Sequence, residues 1–245
     1  MSNGEIHVGC DIGGTFTDIV ARQADGTLHV RKIASTPDDP GRAVVSGLID
    51  LLNDVGASLQ DVSEVVHGTT VGSNTILQKT GAKTGLITTK GFRDVLEIGR
   101  IRTPTMFDLT WEKPEPLVSR RYRLEVGERM GADAQPVYVL PENEVVEAGQ
   151  FLVDEGVEAV AICYINSFIN AAHERRTVEI LEDKFPEILV TASCDVLPEM
   201  KEYERTSTTV VNAYLLVEMR RYLTNLTKNL EVAGMDAPLL VVASS

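Results

Sequence analysis

The turn between the first two predicted strands constrains this chain more than any other segment. The run Asp11-Ile12-Gly13-Gly14-Thr15-Phe16-Thr17-Asp18 follows the strand-like residues 6–10 and precedes the strand-like residues 19–21. Adjacent glycines can adopt positive φ and let backbone N–H groups approach a ligand, so consecutive amides can form a concave anion site. The pattern is typical of either a phosphate-binding hairpin or a hairpin that binds nothing, and the flanking polar residues favour the first.

The side chains of this turn suit the phosphates of a nucleotide. Asp11, at the end of the first strand, is placed to hold a hydrated Mg²⁺, which prefers one or two carboxylates together with waters and phosphate oxygens. Asp11 has two other roles open to it: orienting the attacking group, or bonding to the amides of the turn. For Asp18, a role that only stabilises the turn is as well supported as a role in ligand binding. The residues predicted to contact phosphate through amides or hydroxyls are Gly13, Gly14, Thr15 and Thr17.

The composition excludes several classes of partner. The 245 residues are 43% hydrophobic and 24% charged, as in ordinary globular proteins, but the formal net charge is −13. We therefore predict that the chain binds neither nucleic acid nor an anionic membrane. No apolar stretch approaches the length of a membrane span, and the N-terminus lacks the features of a secretory signal. Three scattered cysteines indicate reduced thiols in a cytoplasmic protein.

The first half of the chain predicts the element order β-β-β-α-β-α-β. Asp25-Gly26 is a hairpin signal between the second and third strands, and Asp39 and Pro40 suit the start of the first helix. Five prolines interrupt residues from about 101 to 141, which indicates an irregular insertion. The pattern as a whole predicts an α/β fold with a mixed sheet flanked by helices.

Helix–strand alternation resumes after the insertion. Val157–Tyr164 is apolar apart from one glutamate, as a central parallel strand would be. A long helix is predicted over about Thr208–Val232, and a strand begins at Leu239. Because that strand starts so near the last residue, we expect the chain to be a fragment of a longer polypeptide.

The element order and the first hairpin resemble one lobe of the actin, Hsp70 and sugar-kinase ATPase superfamily, a ribonuclease-H-like fold. A closer resemblance is to the hydantoinase A / 5-oxoprolinase family. It spans nearly the whole chain, in the right order. The segments that carry it are Val8–Asp18, His67–Leu77, Gly85–Asp94, Ile98–Arg100, Asn166–Phe168, His173–Arg176 and Glu202–Tyr214.

The resemblance implies an enzyme that uses ATP and Mg²⁺ to activate the carbonyl of a small cyclic amide or a ketone. Family members include ATP-dependent hydantoin and 5-oxoproline hydrolases and the ATP-using subunits of acetone-type carboxylases, and bacterial members work with a second, hydantoinase B-type subunit. The family's second lobe carries another Asp-x-Gly-Gly-Thr loop, whereas Gly13-Gly14 is the only Gly-Gly here. The resemblance therefore implies an N-terminal domain over residues 1–195 and the truncated beginning of the next domain over 196–245.

A second polar run, His67-Gly68-Thr69-Thr70, leads from a short strand into a predicted helix. Thr69, Thr70 and Asn74 are placed to contact substrate, because a helix N-terminus exposes free N–H groups. Helix capping by the threonines is an equal alternative. His67 is a candidate general base, since a histidine titrates near neutral pH, but a strand-end histidine also serves as a hydrogen-bonded structural residue.

The other charged residues are interpreted as structural rather than as ligand-binding. Arginines and aspartates after the fifth strand favour surface salt bridges over ligand binding, and His173 is interpreted as structural. Glu202, Glu204 and Arg205 are interpreted as a solvated helix start. The post-strand residues concerned are Arg93, Asp94 and Arg100.

Three functions remain open on the sequence. The first is an ATP-dependent amidohydrolase, or the carboxylase-type alternative. The second is a sugar or polyol kinase, which shares the first hairpin. The third is a non-catalytic module, since an isolated lobe lacking the second phosphate loop is expected to bind ATP weakly.

Overall fold

A computed structural model describes residues 5–36, 40–100, 108 and 110–242. The predicted helix-capping residue Asp39 and part of the predicted insertion lie outside the described residues. The chain forms two compact units, one from residues 1–80 and 218–245 and the other from residues 81–217. The predicted domain boundary after residue 195 differs from the two junctions between these units, which follow residues 80 and 217. The order of domains implied by the family stays a prediction.

The elements follow in chain order. The strands are β1 (Ile6–Ile12), β2 (Phe16–Arg22), β3 (Leu28–Ala34), β4 (Val62–Thr69), β5 (Thr84–Thr89), β6 (Arg123–Val126), β7 (Arg129–Met130), β8 (Pro136–Tyr138), β9 (Ala159–Cys163), β10 (Leu189–Ala192) and β11 (Leu239–Val241). The helices are α1 (Pro40–Asp54), α2 (Val71–Gln78), α3 (Val95–Ile98), α4 (Glu142–Asp154), α5 (Ala172–Lys184), α6 (Ser193–Val196) and α7 (Glu202–Val232).

The first unit is built on a five-stranded mixed sheet in the order β11-β4-β1-β2-β3. Strand β1 is antiparallel to β2 and parallel to β4, so the β1–β2 hairpin lies in the middle of the sheet. Alternate β1 residues are buried, and they pack with apolar residues of α1 and of the C-terminal half of α7. The opposite face of β1 is therefore the face on which Asp11 projects.

The second unit contains a four-stranded sheet in the order β10-β9-β5-β6, in which every pairing is parallel. All five residues of β9 are buried, which confirms the predicted central parallel strand. The predicted order β-β-β-α-β-α-β is observed, but β5 belongs to this sheet rather than to the sheet of β1. The proline-rich segment contributes β6 to the sheet and is thus only partly irregular.

A buried polar network in the second unit overturns one prediction. Arg205, expected in a solvated helix start, is 1% exposed and donates to the Ser193 hydroxyl at 3.3 Å. The same hydroxyl donates to Glu174 at 2.6 Å, and Glu174 also accepts from the backbone amides of Tyr164 and Cys194 at 2.8 Å each. A charged residue is tolerated inside when distant segments supply such partners, and those partners are invisible in the local pattern.

A second buried pair supports a structural role for His173. Its Nδ1 lies 2.7 Å from a carboxylate oxygen of Glu128, whose side chain is fully buried. Burial raises the pKa of Glu128, although the hydrogen bonds from Thr89 and His173 oppose the rise. The pair joins the segment after β6 to α5.

The three cysteines are free thiols, as predicted. Cys10 and Cys163 are buried, and Cys194 is half-buried. Burial raises the pKa of the Cys10 thiol to about 12. None of the described helices is both long and apolar enough to cross a membrane.

Candidate functional site

The β1–β2 turn is closed and braced by its own backbone and by a serine from the segment after β3. The Gly13 amide donates to the Phe16 carbonyl at 2.9 Å. The Ser35 hydroxyl donates to the Gly13 carbonyl at 2.9 Å, and the Ser35 amide donates to the Thr15 carbonyl at 3.0 Å. These three hydrogen bonds brace the turn from within the chain.

Gly13 is needed for space rather than for an unusual backbone angle, whereas neither reason requires a glycine at position 14. Neither has a positive φ. A Cβ on Gly13 would lie 3.1 Å from the Phe16 carbonyl oxygen, whereas a Cβ on Gly14 would meet only the Asn74 amide nitrogen, at 3.6 Å. Because Gly13 uses its own N–H inside the turn, the donors left for a ligand are the amides of Gly14 and Thr15, which have no acceptor in the described part of the chain.

Asp11 projects from β1 beside this turn, and its side chain is exposed. It lies opposite Asp18 on β2 and opposite Gly68 on β4. A Cβ on Gly68 would lie 3.3 Å from Asp11 Oδ1, so the glycine leaves room for the carboxylate. The neighbouring Asp18 carboxylate is paired with Lys32 at 2.8 Å, which reduces repulsion between the two acids.

The ligand set at Asp11 suits Mg²⁺ better than a metal held wholly by protein. Among the described residues no group of three or more His, Cys, Asp or Glu side chains is arranged to hold a metal ion. Mg²⁺ keeps several waters and needs only one or two carboxylates besides phosphate oxygens. The exposed Asp11 carboxylate, close to a turn with two available amides, fits that requirement.

Two predicted site residues lie inside the unit instead. Thr17 is fully buried, and its hydroxyl bonds to the Ser35 hydroxyl at 3.0 Å, so it supports the turn from behind. His67 is also fully buried. Its Nδ1 lies 3.2 Å from Cys10 Sγ, and its Nε2 lies 2.5 Å from the Tyr222 hydroxyl. Burial lowers the pKa of His67, which keeps the ring neutral and favours the structural alternative over a general base.

The polar side chains at the start of α2 form hydrogen bonds within the first unit. Thr69 Oγ1 accepts from the Val71 amide at 3.1 Å and so occupies one free N–H of the first turn, whereas the N-cap residue, Thr70, makes no side-chain capping bond. Thr70 donates its hydroxyl to the Ile12 carbonyl at 3.1 Å, which ties α2 to the end of β1. Asn74 in turn donates to Thr70 Oγ1 at 3.4 Å.

A cavity of about 280 Å³, called here the turn cavity, lies beside the hairpin within the first unit. Its walls are the hairpin turn, residues 35–36, α2 and one face of α7 from Glu218 to Asn225. Four predicted residues line it: Gly13, Gly14, Thr70 and Asn74. The exposed Asp11 and Thr15, together with Thr69, are outside its lining.

The sequence did not indicate that α7 and the residues after β3 line the turn cavity. Ser35 follows a strand adjacent to the hairpin, so sheet order could have indicated it. Arg221, Tyr222 and Asn225 lie about 200 residues from the turn, and no local signal marks them. Of the three charged residues weighed after β5, two form surface pairs as predicted: Arg120 binds both Asp94 oxygens, and Arg100 is paired with Glu204. Arg93 instead donates to the backbone carbonyl of Arg120 at 3.1 Å.

Three known proteins resemble this chain along almost all of it. The caprolactamase subunit alpha of Pseudomonas jessenii is 34% identical over 97% of this chain and 35% of its own length. The 5-oxoprolinase of Dictyostelium discoideum is 28% identical over 90% of this chain and 20% of its own. The nucleotide-free structure of an acetone carboxylase, described as ATP-dependent, superposes with a TM-score of 0.87 and 28% identity, covering 98% of this chain and 36% of that one.

The solved caprolactamase superposes equally well, with a TM-score of 0.87 at 34% identity over 96% of this chain and 35% of that one. These matches confirm the predicted actin-like α/β lobe. The chain spans about a third of the length of the caprolactamase subunit. Since residues 7–185 match the family described as the hydantoinase/oxoprolinase N-terminal region, this chain belongs to the hydantoinase/oxoprolinase family.

Proposed function

We propose that this chain is the N-terminal nucleotide-binding lobe of an ATP-dependent amidohydrolase that acts on small cyclic amides. The observation that carries the proposal is the braced turn, where the amides of Gly14 and Thr15 have no acceptor in the described chain and Asp11 lies exposed beside them. Relatives that are described as ATP-dependent or named for lactam hydrolysis support it.

In this proposal the turn binds the outer phosphates of ATP through the Gly14 and Thr15 amides. Asp11 would hold Mg²⁺ through water, and a bound ion there would supply neutralisation of the charge that develops on the phosphates. Thr17 keeps an indirect role, because it positions Ser35 against the turn. Phosphoryl transfer depends mainly on such positioning and charge neutralisation, so no side-chain nucleophile is required.

The proposed reaction begins with phosphoryl transfer to the substrate. The lactam carbonyl oxygen attacks the γ-phosphorus, the bond to the β-phosphate oxygen breaks, and ADP leaves. Water then adds to the activated carbon, and the ring C–N bond breaks with a proton moving to nitrogen. A second water releases phosphate from the resulting acyl phosphate. Thr70 and Asn74, which line the turn cavity, are proposed to hold the amide during the first step.

A second candidate is the ATP-using subunit of an acetone-type carboxylase. The chain superposes equally well on acetone carboxylase and on caprolactamase, which supports this second candidate. The same turn would then serve phosphorylation of an enol oxygen. Relatives are named as subunits, and we propose a hydantoinase B-type partner for this protein and the cytoplasm as its location.

The test is Asp11→Asn in the full-length protein with its partner subunit. We expect ATP turnover stimulated by a hydantoin or lactam to fall about 100-fold or more, with ADP and free phosphate as wild-type products. The control is Asp25→Asn, at the exposed turn between β2 and β3, which should keep full activity. An active Asp11→Asn enzyme with an unchanged unfolding midpoint would refute the role, and a stable phosphorylated product would indicate a kinase instead.

A further inference from the structure

The second unit contains a cavity that the proposed function does not use, called here the second-unit cavity. It lies between residues 96–100, residues 111–117 and one face of α7, all of which belong to the second unit. Its volume of about 590 Å³ falls within the range of roughly 300–1,000 Å³ that is usual for pockets binding drug-sized ligands. The second-unit cavity is therefore large enough to enclose a small molecule.

Two of the segments that carry the family resemblance meet at this cavity. Ile98–Arg100 contributes all three of its residues to the lining, and Glu202–Tyr214 contributes four residues along one face of α7. The proposed ATP site uses neither segment. The four residues of α7 that line the cavity are Tyr203, Ser207, Val210 and Val211.

Apolar and aromatic side chains form much of the wall. Leu96 and Val210 are buried there and belong to one core cluster of the second unit, which fixes the position of the wall. Trp111, the only tryptophan of the chain, and Tyr203 are half-buried, so each ring keeps accessible surface. Aromatic rings of this kind pack favourably against another planar ring.

The charges on the wall cancel. Four of the described lining residues are charged, two of each sign, and two of the four are already paired. Glu97 accepts from Arg123 at 3.0 Å, and Arg100 Nε donates to Glu204 at 2.8 Å. An ionised ligand would lose hydration here without gaining an unopposed counter-charge, which costs free energy. The other two charged residues are exposed and of opposite sign: Lys113 and Glu115.

We propose that the second-unit cavity binds an uncharged small molecule that contains a planar apolar ring. The ring packs against Trp111 and Tyr203, and the hydroxyls of Tyr203 and Ser207 are available to one polar group of the ligand. This inference goes beyond the proposed function, because the lining of the second-unit cavity shares no residue with that of the turn cavity.

The probes are 2-naphthylmethanol, 2-naphthoate and 2-naphthylmethylamine, which share one ring system and are uncharged, negative and positive near neutral pH. They are titrated into the full-length protein with its partner subunit, by calorimetry and by fluorine NMR of fluorotryptophan-labelled protein. The Trp111 signal is identified by its absence in Trp111→Phe. The variant Ser207→Phe places a ring in the cavity, and the matched control is Thr208→Phe, since Thr208 is exposed and absent from the lining.

We expect 2-naphthylmethanol to shift the Trp111 signal and to bind about 10-fold more tightly than either ion. Ser207→Phe should weaken this binding about 10-fold or more by filling the cavity, whereas Thr208→Phe should bind as wild type. Trp111→Ala should weaken binding about 2- to 10-fold, the effect of losing one aromatic contact. This variant decides the matter where the added ring prevents Ser207→Phe from folding.

Three results would overturn the inference. The first is an unmoved Trp111 signal, which a cavity filled by another part of the full-length protein would also give. The second is tighter binding of either ion than of 2-naphthylmethanol, and the third is an equal effect of Ser207→Phe and Thr208→Phe. Asp11→Asn should bind 2-naphthylmethanol as wild type does, so loss of ATP turnover alone leaves this inference standing, and loss of probe binding in Asp11→Asn would contradict it.

Discussion

The substitution Gly13→Ala tests whether the turn has the conformation described. The new Cβ would lie 3.1 Å from the Phe16 carbonyl oxygen, which is backbone and has little room to move. That oxygen also accepts the Gly13 N–H at 2.9 Å, so relieving the contact lengthens the hydrogen bond that closes the turn. The substitution thus strains the geometry that positions the Gly14 and Thr15 amides.

Three contributions determine the expected change in the free energy of unfolding. Crowding in a packed site costs about 1–3 kcal/mol, and weakening one hydrogen bond costs about 0.5–1.5 kcal/mol. The lower entropy of the unfolded chain with alanine returns about 0.4–1 kcal/mol. Together they predict that Gly13→Ala lowers the free energy of unfolding by about 2 kcal/mol, within bounds of roughly 0.5 and 4 kcal/mol.

The control is Gly9→Ala on the same strand, where a Cβ would meet no atom within 4 Å and where φ is not positive. Only the unfolded-state term applies there, so this variant should be neutral or up to about 1 kcal/mol more stable. Urea unfolding followed by circular dichroism measures both, and ATP turnover of the full-length protein measures the site. Equal stabilities of the two variants, or full activity of Gly13→Ala, would refute the described turn.

Two further predictions concern stability. Burial lowers the pKa of His67, so below pH about 6.5 the unfolded chain binds a proton that the folded chain excludes. The free energy of unfolding should therefore fall, by up to about 1.4 kcal/mol per pH unit, as the pH drops from 6.5 toward the folded-state pKa. His67→Gln should flatten this slope in urea titrations at several pH values, and an unchanged slope would contradict the burial effect. In the second unit, a Cβ on Gly81 would lie 2.2 Å from the Tyr214 ring, so Gly81→Ala should cost about 1–3 kcal/mol. The double variant Gly81→Ala/Tyr214→Leu should recover part of that loss, and no recovery would show that the ring is not the cause.

Periodicity and turn residues predicted most of the secondary structure. Pro40, predicted at the start of the first helix, is the first residue of α1, and the apolar run Val157–Tyr164 contains β9. The helix predicted after Thr70 is α2, which ends at Gln78, where Lys79 adopts the left-handed conformation with φ of +56°.

Long-range contacts explain what the sequence could not predict. The charges at the start of α7 indicated solvent, yet Arg205 is buried because Ser167 and Ser193 from other elements accept its hydrogen bonds. Assignment of β5 to the second sheet depends on its pairing with β9, about 75 residues away.

The candidate site shows the same division. The hairpin was predictable because its glycines, threonines and aspartates are contiguous. The burial of Thr17 and His67 was not predictable from the sequence. Thr17 bonds to Ser35, which follows β3, and His67 bonds to Tyr222 of α7. Residue type identified the phosphate-binding candidates, and only the packing separates those that face a ligand from those that support the turn.

The central claim is that the β1–β2 turn binds the outer phosphates of ATP. The most direct measurement is a crystal structure of the full-length protein, with its partner subunit, in complex with a non-hydrolysable ATP analogue and Mg²⁺. The account predicts phosphate oxygens within about 3.2 Å of the Gly14 and Thr15 amides and the metal on the Asp11 side of the turn. A triphosphate bound away from this turn, with Asp11 far from the metal, would contradict it.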